Sequence, residues 1–231
     1  MNSRSKPRQR ALSNFLLASI ILTISSALSA QVSERLPATV SPDNEVIIVK
    51  EGSELGEKKF YFLDTVTGEK LGSVFTSHER GLANPSFVAS WNSSSSKLAL
   101  LVYYGVRSSQ IELFRRDTQG RFIRIDFKVP DPLSIYGKSD LRKLAEGNVR
   151  AAENSVGPWL AENTLRLLAG IEIDRGNNEF VHLFVSFTAI VDGKAKTRDL
   201  KLLGPYSDQQ ADKFRNRWGR KYWEEPGTDT E

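Results

Sequence analysis

The two histidines of the sequence, His78 and His182, are its first candidates for a catalytic acid or base. His78 lies in the run Ser77-His78-Glu79, which contains the three side-chain types of a nucleophilic triad. Neighbouring residues of an extended segment point in alternating directions, and triad members normally come from separate segments. The chain also lacks a Gly-x-Ser-x-Gly sequence that would expose a strained serine. We therefore predict no catalytic residue in this run.

His182 lies in the apolar run 179–191. It shares one strand face with Phe180, Phe184 and Ser186, and the opposite face is apolar as well, as expected for a central, buried strand. Because buried polar groups take hydrogen-bond partners, we expect a packed histidine rather than a catalytic base.

The sequence contains few residues or motifs that could bind a metal or a cofactor. The chain has no Cys, and its two histidines are far apart in sequence, so a zinc site is short of ligands. The acidic spacing of a calcium loop is absent, as are a Gly-x-Gly-x-x-Gly motif and a phosphate-binding loop. The sequence thus predicts no metal site and no cofactor.

The C-terminal segment 205–223 is predicted to be an amphipathic helix packed on the domain, followed by a polar tail, 224–231. Ser207 is the expected N-cap, and Gln210 follows at capping-box spacing. An apolar stripe runs along the helix at Ala211, Phe214, Trp218 and Tyr222.

Basic and aromatic residues of the same helix are candidates for partner binding through charge and stacking. They are Arg215, Arg217, Trp218, Arg220, Lys221 and Trp223. The alternative is that Phe214, Trp218 and Tyr222 dock on the sheet while the charges stay solvated.

Residues 1–30 have the basic start, the short apolar centre and the small-residue exit of a signal peptide, with cleavage expected after Ala30. The apolar part contains too many serines for a good membrane span, and the alternatives to cleavage after Ala30 are an uncleaved anchor or another cleavage site. All four surplus positive charges lie in this segment, so the remaining chain has no net charge and nucleic acid is not an expected partner. The sequence predicts an exported protein, periplasmic or extracellular, with a polar tether at 31–39.

Period-2 patterns over 40–204 predict a β-rich domain of nine strands in three groups. The predicted ranges are 45–50, 59–64, 70–75, 97–104, 110–115, 121–129, 164–172, 179–191 and 196–203. Between the second and third groups, helical spacing predicts a short inserted helix at about 139–153.

The three groups repeat one pattern of turn and strand. Ser41-Pro42-Asp43 precedes the first apolar strand, Trp91 and a run of serines precede the second, and Trp159 precedes the third. A later turn in each group ends in a glycine: Gly68, Gly120 and Gly193. This pattern resembles the blades of WD-repeat-like β-propellers of the periplasmic TolB type.

The resemblance implies an all-β fold of three antiparallel, blade-like meanders. Propellers typically close with four to eight blades, so three units predict a propeller fragment or a sandwich-like arrangement. A homo-oligomer is another way to complete a ring.

These features favour a non-catalytic binding or interaction module of the cell envelope, whose partner is an envelope protein or a glycan. Two alternatives remain open at this point. One is an exported hydrolase with residues assembled from distant segments, and the other is a membrane-surface protein that binds through its basic C-terminal helix.

Overall fold

A computed structural model of the chain describes residues 33–52, 57–76, 86–103, 109–177 and 179–221, with side chains omitted at Thr76 and at 215–221. Over these residues the chain forms twelve strands, two α-helices and two short 3-10 helices. The strands are β1 (Ser33–Arg35), β2 (Val46–Glu51), β3 (Lys59–Asp64), β4 (Lys70–Thr76), β5 (Ser86–Trp91), β6 (Lys97–Tyr103), β7 (Ser109–Arg116), β8 (Phe122–Ile125), β9 (Asn148–Ala161), β10 (Thr164–Asp174), β11 (Phe180–Asp192) and β12 (Lys194–Tyr206). The α-helices are α1 (Pro132–Gly137) and α2 (Asp208–Lys221).

The strands form three antiparallel sheets of four strands each, and every sheet is a meander of consecutive strands. The first sheet contains β1 to β4, the second β5 to β8 and the third β9 to β12. The predicted all-β fold with three blade-like units is confirmed, with four strands in each unit instead of three.

The second sheet is apolar on both faces and lies between the other two. On strand β6, Leu98 and Leu100 belong to a core shared with the first sheet, which includes Phe62. The intervening residues Ala99 and Leu101 belong to a core shared with the third sheet and α1. Because side chains alternate along a strand, the continuous apolar run of β6 fills both cores.

The turns that lead into β2 and β6 are built alike. The Ser41 side chain accepts the Val46 N–H at 2.9 Å, and the Asn92 side chain accepts the Lys97 N–H at 2.8 Å. Both turns also contain a residue other than glycine at positive φ, namely Asn44 at 61° and Ser95 at 55°. Different polar residues therefore build the same turn in the first two units.

The helix predicted at about 139–153 is wrong. Residues 142–145 form a 3-10 helix, and β9 begins at Asn148 and pairs with β10 along its length. The helix of this region, α1, lies earlier, where the Asp131 carboxylate caps the N–H groups of Leu133 and Ser134. Pairing with β10 satisfies the backbone of β9 and overrides the weak helical spacing of its side chains.

The tether predicted at 31–39 is also wrong where the structure describes it. Ser33–Arg35 pair with β2 as strand β1, and Pro37–Thr39 form a 3-10 helix. Ser33–Arg35 are exposed, as β1 is an edge strand that pairs on one side alone, whereas Thr39 is buried.

The predicted C-terminal helix is present as α2. The Gln210 side chain accepts the Ser207 N–H at 3.0 Å, as a capping box requires. Ala211 is fully buried, and the Phe214 ring lies 5.1 Å from that of Phe184 on the third sheet. The inner part of the predicted apolar stripe therefore docks on the sheet.

The predicted signal peptide, 1–30, and the tail, 224–231, lie outside the described residues. Within the described part of the chain, neither α-helix has the length and apolar character needed to cross a bilayer.

Candidate functional site

Three chemically active side chains meet on the face of the third sheet that carries α2. His182 on β11 is directly opposite Glu172 on β10, and Glu153 on β9 is opposite Gly170. Glu153 and Glu172 are therefore diagonal neighbours on adjacent strands and point to the same face. We call Glu153, Glu172 and His182 the carboxylate–histidine cluster.

The cluster is tight enough for its members to share one ligand. One oxygen of each glutamate and one ring nitrogen of His182 all lie within 4.8 Å of one another. The Nδ1 atom of His182 is 3.9 Å from the Glu153 carboxylate. The His182 side chain is 3% exposed, and those of Glu153 and Glu172 are 23% and 19% exposed. The imidazole is thus buried, while the carboxylates reach the solvent.

Helix α2 supplies a fourth member from outside the sheet. The Asp208 carboxylate at its first turn lies 2.9 Å from Nε2 of His182. Because a carboxylate is an acceptor, Nε2 carries the proton in this pair. Among the described residues, Nδ1 of His182 has no hydrogen-bond partner although it is buried.

Arg150 borders the cluster on β9. Its guanidinium lies 3.9 Å from Glu172 and 4.0 Å from Asp174, and it also covers the Phe180 ring at 4.7 Å. At these distances the ion pairs are long, so Arg150 offsets only part of the negative charge of Glu172 and Asp174.

Gly170 provides the room in which the cluster packs. A Cβ atom at this position would lie 2.4 Å from the Phe184 ring and 2.9 Å from the Glu153 carbonyl oxygen. The missing side chain lets Phe184 lie against β10 and lets β9 approach closely.

A second feature is an open groove between the second and third sheets, with a volume of about 400 Å³. We call it the seam groove. Its lining combines aromatic and apolar surface with hydroxyls and one carboxylate, from Ser90, Trp91, Ser93, Pro158, Trp159, Leu160, Ala161 and Glu162.

The two tryptophans of the seam groove make equivalent contacts between successive sheets. The Trp91 indole donates to the Thr39 carbonyl at 3.1 Å, and the Trp159 indole donates to the Ser90 carbonyl at 2.9 Å. Ser90 also donates to the Gly157 carbonyl at 3.1 Å. These bonds fix the wall of the groove at the join between sheets.

Glu162 joins the serine-rich turn of the second sheet to the third sheet. Its carboxylate accepts hydrogen bonds from Ser94, from Ser96 at 3.0 Å and from Ser93 at 3.3 Å. The Ser94 bond is the largest of the effects that hold the pKa of Glu162 below its usual value, and the charge of Lys97 adds to it. The Trp91–Ser96 turn, which is part of the predicted repeat, therefore also connects the second sheet to the third through hydrogen bonds to Glu162.

The residues predicted to bind a partner are not assembled into a described surface. Arg215, Arg217, Trp218, Arg220 and Lys221 lie on α2 with their side chains outside the description, and Trp223 lies beyond it. His78 also falls outside the described residues. His182 is buried and hydrogen-bonded, as the sequence predicts.

Glu153 and Glu172 are functional candidates that the sequence pattern does not predict. The signal for Glu172 was the sequence Arg175-Gly176-Asn177 between two apolar runs, because a tight connection there sets Glu172 opposite His182 once both flanking strands are recognised. Glu153 has no such signal, because the side-chain spacing around it predicts a helix instead of strand β9.

The chain matches no protein-family model, no curated protein and no solved structure. Its function must therefore be argued from the arrangement of its own side chains.

Proposed function

We propose that this protein is an exported, non-catalytic binding module of the cell envelope and that the seam groove holds a glycan. The observation that carries the proposal is the lining of the groove. Half-buried Trp91 and Trp159 lie beside the hydroxyl of Ser93 and the carboxylate of Glu162.

This combination matches the chemistry of a sugar ring. A pyranose presents C–H groups on its faces, which pack on aromatic and apolar surface, and hydroxyls at its edge, which donate to carboxylates. Leu160, which is 49% exposed, extends the apolar wall of the groove.

The groove is held in shape by bonds that do not depend on a ligand. The indole of Trp159 and the hydroxyl of Ser90 tie the two sheets together, and Glu162 ties the serine turn to β9 and β10. A rigid site loses little conformational entropy on binding, which favours recognition of a weakly interacting ligand such as a neutral glycan.

The net charge and the N-terminal sequence support the proposal of an exported protein that binds a neutral glycan. Residues 1–30 have the pattern of a signal peptide, and the chain after them carries no net charge. A balanced surface favours a neutral glycan over a strongly charged polymer.

The test is binding of two probes by the full chain: the tetramer of N-acetylglucosamine, and soluble glycan fragments released from purified cell walls. Calorimetry and tryptophan fluorescence should show saturable binding with a dissociation constant between about 1 µM and 1 mM. Leu160→Ser should weaken it, because it removes apolar wall from the groove.

Leu200→Ser is the matched control. Leu200 is as exposed as Leu160, at 51%, and lies on β12 at the opposite edge of the same sheet. It should leave binding unchanged. The glycan proposal would be overturned if neither probe showed saturable binding at concentrations up to about 10 mM. It would also be overturned if Leu160→Ser and Leu200→Ser weakened the binding equally.

A further inference from the structure

We propose that the carboxylate–histidine cluster binds one divalent transition-metal ion of the zinc type. Nδ1 of His182 and one oxygen each from Glu153 and Glu172 would be the ligands. This site is separate from the seam groove and does not depend on the glycan proposal.

The first argument is the unused nitrogen. The N–H of Nε2 donates a hydrogen bond to the Asp208 carboxylate, so a neutral His182 presents the lone pair of Nδ1. Among residues that the structure describes, nothing donates to this buried atom, and the Glu153 carboxylate lies 3.9 Å away. A lone pair facing a carboxylate is repulsive, and a cation between them turns that repulsion into attraction.

The second argument is distance. Zinc ligands lie about 2.0–2.2 Å from the ion, which places two tetrahedral ligands about 3.4 Å apart. The Nδ1–Glu153 distance is 3.9 Å, and one ring nitrogen of His182 and one oxygen of each glutamate lie within 4.8 Å of one another. Binding one ion therefore requires the glutamate carboxylates to move closer to Nδ1 than they lie in the structure.

The third argument is the role of Asp208. Histidines that bind metals usually donate their other ring N–H to a carboxylate, which fixes the tautomer and the ring orientation. Asp208 makes that contact with His182 at 2.9 Å. It comes from α2, so the ion would connect the helix and three strands of the third sheet through one imidazole.

The donor set selects the kind of ion. One imidazole nitrogen and two carboxylate oxygens suit zinc and its neighbours, whereas calcium and magnesium prefer oxygen ligands alone. Three protein ligands leave a coordination position for water, and the exposed sides of Glu153 and Glu172 give that water access.

The competing explanation is a proton on Nδ1, which would make His182 an imidazolium between Glu153 and Asp208. The two explanations differ in their response to metal. The full chain, treated with a chelator and free of any affinity tag, should bind one Zn²⁺ in calorimetry, and its Tm should rise with Zn²⁺ concentration. Glu172→Gln and Glu153→Gln should each weaken binding at least about tenfold because each removes a charged ligand but keeps the side-chain shape.

Two controls locate the site. Glu179→Gln removes an exposed carboxylate near the same hairpin, and His78→Gln removes the second histidine of the chain. Neither should change Zn²⁺ affinity. Asp208→Asn should weaken binding by about ten- to a hundredfold through loss of the orienting carboxylate.

Nitrogen NMR gives a readout that does not depend on folding stability. Zn²⁺ should shift the Nδ1 resonance of His182 and leave its Nε2 protonated. Failure to bind Zn²⁺ at about 1 mM, binding that survives both glutamate substitutions, or binding lost in His78→Gln would each overturn the proposal.

Discussion

Trp91 and Trp159 make equivalent hydrogen bonds, Trp91 between the first and second sheets and Trp159 between the second and third. Each indole donates to a backbone carbonyl of the preceding unit, Trp91 to Thr39 and Trp159 to Ser90. The two acceptors stand at corresponding places, just before the turns that begin at Ser41 and Asn92. The join between sheets is therefore repeated along the chain, and it is built by residues that the sequence marks with tryptophan.

Replacing either tryptophan with phenylalanine should weaken the join. Trp91→Phe and Trp159→Phe each leave a carbonyl without its indole donor, so each should lower the free energy of unfolding by about 1–2 kcal/mol. Urea unfolding followed by circular dichroism measures this. Equal stability of both variants and the parent chain would show that the indole bonds do not hold the sheets together.

Gly170 should tolerate no side chain. Gly170→Ala places a methyl group 2.4 Å from the Phe184 ring, so the free energy of unfolding should fall by about 1–3 kcal/mol. Gly137→Ala is the control, because no atom lies within 4 Å of a Cβ built there and its change should stay within about 0.5 kcal/mol. Thermal unfolding of the two variants side by side distinguishes crowding from a general effect of alanine.

Glu162 should make stability depend on acid pH. Its pKa is lowered in the folded state, with the Ser94 hydrogen bond as the largest lowering cause. The stability it contributes is present above its usual pKa and is lost as the pH falls through the lowered folded value. The stability difference between the parent chain and Glu162→Gln should therefore shrink on acidification, and urea unfolding across the acid range measures it. Because Glu162 is 46% exposed, the effect is small, and a difference that grows in acid would contradict the assignment.

Tyr136 should make stability depend on alkaline pH. Burial raises the pKa of Tyr136 to about 12, and its hydroxyl donates to the Leu203 carbonyl at 2.8 Å. The unfolded tyrosine ionises near 10, so stability is present below that pH and is lost as the pH rises toward the folded value.

The matched variant is Tyr136→Phe. At neutral pH it should lose about 1 kcal/mol with its hydrogen bond, and above about pH 10 its disadvantage should shrink. Ultraviolet absorbance of phenolate in the folded chain provides the direct measurement. Ionisation of a Tyr136-dependent signal near pH 10 would contradict the buried, hydrogen-bonded placement.

The sequence predicted the second, third and fourth strands of every unit and missed the first strand of each. Strands such as β3 and β6 pair on both sides, so their apolar runs are long. Strands β1, β5 and β9 lie at sheet edges and carry many exposed residues. Strands β4, β8 and β12 are edge strands as well, but each follows a turn that the sequence marks with a glycine, Gly68, Gly120 or Gly193. The conformation of β1, β5 and β9 is decided by the neighbouring strand, which local periodicity does not contain.

The carboxylate–histidine cluster could likewise be predicted only in part from the sequence. The burial of His182 followed from the apolar run around it. The nearness of Glu153, about thirty residues earlier in the chain, depends on the register between β9 and β10, which includes irregular steps. Such a site is created by sheet pairing and leaves no motif in the sequence.

The second sheet packs on both of its faces, and this constrains how the chain can fold during synthesis. A nascent chain that ends near residue 130 has Ala99 and Leu101 in place but lacks the strands that cover them. Native burial there waits for the last hundred residues, and until they arrive this surface is open to self-association. The first two sheets can close the core that they share, but the other face of the second sheet stays uncovered until the third sheet is made, so a product truncated before β9 should be a substrate for chaperones and proteases.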